Sequence, residues 1–175
     1  TNSLTTDKYN SISEQLDPDN NVKILNPLST DLSIMRQSLI FSGLETLAFN
    51  INRQQSDLKL FEFGKTYHNF DDQNEEFNHL SILTTGNKTE KRWNSKKTEV
   101  GYFYLKGLVT GIFDRLGIKK LKSLPLSNDI FSEGQQLSVG KYSLVEFGSL
   151  KTNALTHFGI SQNVFCANFN WDNLL

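Results

Sequence analysis

Residues 58–68, LKLFEFGKTYH, alternate so regularly that they fix one extended segment and sort its side chains onto two faces. Residues two apart in a strand share a face. Leu58, Leu60, Glu62, Gly64 and Thr66 therefore point one way, and Lys59, Phe61, Phe63, Lys65 and Tyr67 the other. A second strand-like run, NHLSILTTG (78–86), follows after the acidic stretch DDQNEE, which reads as a hydrated hairpin tip. The two predict an antiparallel pair. Glu62 then sits among leucines, and a carboxylate on an apolar face either shifts its pKa or finds donors. Two readings follow: an acid–base pair with His68, or a structural carboxylate held by amides or by a neighbouring cation.

Two helices stand out beside this pair. Ile40, Leu44, Leu47, Ala48 and Ile51 form an i, i+4, i+7, i+8, i+11 stripe over about 38–53. Leu105, Leu108, Val109, Ile112, Phe113 and Leu116 form another over 103–116, stopped by Gly117. At the start, TNSLT reads as a short strand, DKYNSISEQL as a helix capped by Asp7, and VKIL (22–25) as a strand stopped by Asn26-Pro27. Toward the end, LKSLPL, QQLSVG, KYSLVEFG and VFCANFNW read as strands. Gly140-Lys141 makes a hairpin turn, and KTNALTHF a short helix stopped at Gly159. The pattern implies an α+β fold, an antiparallel β-sheet flanked by helices, with one face covered. With 175 residues and no proline- or glycine-rich linker, residues 1–175 read as a single domain. The start TNSLTT suggests a domain excised from a larger chain.

Composition removes several classes of function. Eighteen Lys and Arg against nineteen Asp and Glu leave a net charge of -1, so no field for a polyanion is evident. The single cysteine, Cys166, excludes an internal disulfide and a cysteine-rich zinc site, and reads as an inert buried thiol. His68, His79 and His157 lie too far apart for a metal motif, and GNKTEKRW lacks the glycines of a phosphate loop. No apolar run reaches the ~20 residues of a membrane span, and the chain reads as soluble and cytoplasmic. Lys91, Arg92 and Trp93, in the loop 86–97, admit two readings. They are a weak RNA contact of cations around an aromatic, or a solvated loop anchored by one tryptophan.

Several spaced motifs resemble the core domain of the bacterial phenylalanyl-tRNA synthetase β-subunit family. They are the Asn-Pro-Leu-Ser turn (Asn26 to Ser29), the Met-Arg-x-Ser-Leu helix start (Met35 to Leu39), Asn50, the Phe-Glu-x-Gly-Lys strand (Phe61 to Lys65) and Leu105-Lys106-Gly107. The chain departs from the family pattern at Ser132-Glu133 and Lys151-Thr152, where His-Pro is usual. It also carries Gln135 for an arginine and Leu137 for an alanine. The resemblance implies a class II synthetase-like fold that has lost its active site, within an enzyme whose α subunit carries out aminoacylation. It implies ATP and Mg2+ for the parent holoenzyme and none for this domain. Implied partners are the α subunit, the other β-subunit domains and, at holoenzyme level, tRNA(Phe).

The residues are consistent with that loss. Class II chemistry needs two arginines on the ATP phosphates, because a planar charged fork binds phosphate in a way lysine does not reproduce. The only arginines are Arg36, Arg53, Arg92 and Arg115; the strand that should end in one ends in Tyr67-His68, and FCANFNWDNLL carries none. No residue is assigned a catalytic, cofactor-binding or metal-binding role, and Glu62 is assigned as a structural carboxylate. An independent class II-like ligase and an RNA-binding module are the alternatives. The irregular segment 26–39 is weighed as a subunit interface through Leu28, Met35 and Arg36. The competing reading folds it back, with Arg36 pairing to Glu62 or another carboxylate.

Overall fold

The structure, a computed structural model, describes residues 2–27, 29–88 and 98–175. A long hairpin forms one edge of its main sheet. Strand β3, Leu58–Phe70, pairs antiparallel with β4, Gln73–Thr85, along its whole length. The hairpin is longer than the sequence reading at both inner ends. Only Asp71 and Asp72 form the turn, both at positive φ (49° and 63°), as a two-residue hairpin turn favours. Gln73 to Glu76 belong to β4, where cross-strand bonds such as Lys65 to Glu76 at 2.5 Å hold them.

Three further strands follow in sequence, β5 (Lys122–Leu126), β6 (Phe131–Val139) and β7 (Tyr142–Leu150), then β8 (Val164–Asn170). The sheet order is β3-β4-β8-β7-β6-β5, all antiparallel. The last strand thus joins the hairpin to the β5–β7 meander. A small two-stranded pair, β1 (Leu4–Thr5) with β2 (Ile34–Met35), sits apart. Val22–Leu25 does not form a strand: Lys23 makes one bridge to Ile34 before Asn26-Pro27 interrupts pairing. Asp7–Ser11 is a 3-10 turn whose cap is Thr6, accepting from the Lys8 amide, not Asp7.

Helices cover both faces of the sheet, where the sequence pattern implied one. Helix α1, Ile40–Ile51, lays Ile40, Leu44 and Leu47 on the face carrying Leu58, Leu60, Leu83, Val164 and Cys166. Helix α2, Tyr102–Leu116, lays Leu105, Val109 and Phe113 on the other face, against Val145, Phe147, Ala167 and Phe169. The short α3, Thr152–His157, adds Leu155 to the first core. Gly117 ends α2 at φ 70°, a left-handed position that glycine adopts without strain. Two residues of the expected α2 stripe, Leu108 and Leu116, stay exposed. The stripe is wider than the strip of sheet beneath it.

Candidate functional site

Glu62 lies on the α1 face, as its alternation requires, and accepts a hydrogen bond from Arg36 Nη1 at 2.7 Å. Arg36 is 4% exposed. Its Nε donates to the Lys65 carbonyl at 3.0 Å and its Nη1 also to the Asn2 carbonyl at 3.3 Å, while the Arg36 carbonyl accepts from the Tyr67 amide. The guanidinium thus ties β3 to the segment after β2. Gly64 makes room for it: a Cβ there would lie 2.4 Å from Arg36 Nη2. The close approach at this glycine is by a guanidinium.

Register carries a polar row away from this pair across five strands. Glu62 on β3 faces Ser81 on β4, Ser81 faces Asn168 on β8, Asn168 faces Glu146 on β7, and Glu146 faces Gln136 on β6. Directly opposed residues share a face, so all five look toward the α1 side. A cavity of about 240 Å³ between α1 and the hairpin has Gly43, Thr46, Glu62 and Ser81 in its lining. Among the described residues Asn168 Oδ1 is buried without a hydrogen-bond partner. Burial also pushes the Glu146 carboxyl above its ordinary value of 4.5. The row escaped sequence reading because it depends on long-range register. Glu146 alternating with apolar neighbours in SLVEFG was its one local sign.

The chemistry available there is limited. Burial pushes the Cys166 thiol up to about 12, so it is not a thiolate at neutral pH. His68 makes no acid–base pair with Glu62. It is half-buried, stacked on Phe70 at 5.7 Å and edge-on to Phe77 at 5.6 Å, and burial lowers its pKa. The strand runs on to Phe70, so His68 is not where β3 leaves the sheet. Arg53 lies over the Phe49 ring at 3.4 Å. Among the described residues no three potential ligands are grouped for a metal. Of the residues weighed for a subunit contact, Arg36 makes the pair with Glu62 that the competing reading of segment 26–39 named, and Met35 is half-buried in β2. Leu28, and the RNA-contact candidates Lys91, Arg92 and Trp93, lie outside the described residues.

Glu146 gives a pH signature. A carboxyl whose folded pKa is raised contributes stability below its unfolded value, about 4.5, which is lost as pH rises through the folded value. Glu146→Gln is expected to raise the melting temperature in mildly alkaline buffer, with the gap closing toward pH 4.5. Thermal melts across pH check this, and a gap of constant size would contradict it. His68 and His79 act in the opposite sense. Their lowered pKa values give stability that is full above about 6.5 and lost as pH falls through the folded values.

The fold recurs in known proteins. Two solved structures of pyrrolysyl-tRNA synthetase from Desulfitobacterium hafniense superpose with TM-scores of 0.70 and 0.72 at 16% identity. They cover 99% of this chain and 60% or 59% of theirs. Such a match shows a class II synthetase fold, α+β with an antiparallel sheet. The family model described as phenylalanyl tRNA synthetase beta chain CLM domain matches residues 1–171. The chain belongs to this family. The phenylalanine–tRNA ligase beta subunit of Bacteroides fragilis is 38% identical over 99% of the chain, and that of Fusobacterium nucleatum is 34% identical over 88%. The chain spans 23% and 20% of their lengths. The family's Phe-Glu-x-Gly-Lys strand is the stretch of β3 that holds Glu62 and clears Arg36. Its departures at Ser132 to Leu137 fall on β6, and those at Lys151-Thr152 at the entry to α3.

Proposed function

We propose that this domain is a non-catalytic structural module of a phenylalanyl-tRNA synthetase β subunit. It supports the catalytic α subunit and holoenzyme assembly for ATP-dependent attachment of phenylalanine to tRNA(Phe), in the cytoplasm. ATP and Mg2+ act at the α subunit. The observation that carries this reading is the buried Arg36–Glu62 pair. Arg36, on the α1 face of the sheet, is engaged by a carboxylate 2.7 Å away. That pairing disfavours Arg36 as a triphosphate ligand and, with it, an independent ligase.

The full-length β subunit, purified without α, is expected to give no phenylalanine-dependent ATP–pyrophosphate exchange, and exchange is expected to return when α is added. Exchange by β alone would favour the ligase reading.

A further inference from the structure

On the α2 face, away from Arg36 and Glu62, an open groove of about 650 Å³ runs between α2 and the β3–β4 hairpin. Its sheet wall is apolar: Phe61, Leu80 and Ile82 stand side by side, and Phe61 is 79% exposed. Its helix wall carries Leu108 and Ile112. Exposed apolar surface that is contiguous marks an interaction site more often than scattered residues do. Among the described residues the charged groups in the lining are Lys59 on the sheet wall, whose Nζ donates to the Lys88 carbonyl at 2.8 Å, and Arg115 on the helix wall, both cations, and neither makes an ion pair there.

We infer that this groove receives an amphipathic α-helix with an apolar stripe bordered by Asp or Glu. The length fits. From Tyr104 to Arg115 the wall rises roughly 16 Å, about three helical turns at ~1.5 Å per residue. The helix wall is low at Gly107 and Gly111, one turn apart, where an added Cβ would meet nothing within 4 Å. A second backbone can approach closely there. Apolar anchors at i, i+3 or i+4 and i+7 would meet Phe61, Ile82 and Leu108, as in other helix-in-groove complexes. Flanking carboxylates would meet one cation on each wall. The inference stands on the groove itself and does not depend on the absence of catalysis.

The test uses the full-length β subunit co-expressed with α, with p-benzoylphenylalanine in place of Phe61, irradiated and mapped by mass spectrometry. The expected cross-link is to a helical segment whose apolar residues recur at helical spacing beside Asp or Glu. Gly111→Leu fills the groove with a better helix former, so it should cut the yield at least tenfold without lowering the melting temperature. Lys59→Glu with Arg115→Glu should do the same to the yield. No cross-link, capture of a second copy of this domain, capture of a basic or non-helical segment, or an unchanged yield in Gly111→Leu would overturn the inference. Exchange activity of the same samples reports separately on the assembly reading.

Discussion

Arg36→Ala is expected to destabilise the domain by about 3–5 kcal/mol, because it removes a buried charged partner from Glu62 together with the guanidinium's bonds to backbone carbonyls. Glu62 would keep its place on the α1 face with its 2.7 Å partner gone, and the Lys65 and Asn2 carbonyls would each lose a donor. For a domain of this size the melting temperature should fall by roughly 6–20 °C. Arg36→Met combined with Glu62→Leu should recover part of the loss, since removing both charges of a buried pair costs far less than removing one. Recovery should be incomplete because the two carbonyl bonds do not return. If Arg36→Ala instead left the melting temperature within about 2 °C and weakened binding to the α subunit, Arg36 would be an interface anchor and the ion pair incidental.

The pair also marks what the sequence could and could not show. Alternation in LKLFEFGKTYH placed Glu62 on the covered face, and the structure agrees residue by residue through Thr66. Arg36 stood as its partner in only one of two readings of segment 26–39, since it lies 26 residues upstream and arrives through an irregular segment. Helix periodicity found α1 and α2, and glycine chemistry found the ends at Gly117 and Gly140. What periodicity overstated was contact. Leu108 and Leu116 match the α2 stripe but stay exposed, because helical spacing reports which residues share a face and not how wide the facing surface is. The insertion of β8 between β4 and β7 is equally non-local, and the polar row from Glu62 to Gln136 exists only through it.

That insertion is the basis of the second large effect. Phe169 on β8 is fully buried, opposes Leu80 on β4 and Val145 on β7, and packs its ring 5.8 Å from Phe113 of α2. One side chain thus joins the hairpin, the meander and the helix. Phe169→Ala should leave a cavity where all three meet and cost about 3–5 kcal/mol, measured by denaturant or thermal unfolding of the purified chain. Phe61 is the control on the same face of the sheet. At 79% exposure its ring buries little against the described residues, so Phe61→Ala should change stability by no more than about 0.5 kcal/mol. The two phenylalanines separate folding from recognition. A loss under about 1 kcal/mol at Phe169 would mean that α2 and the sheet repack freely. A large loss at Phe61 would mean that the groove wall belongs to the core and has no room for a partner.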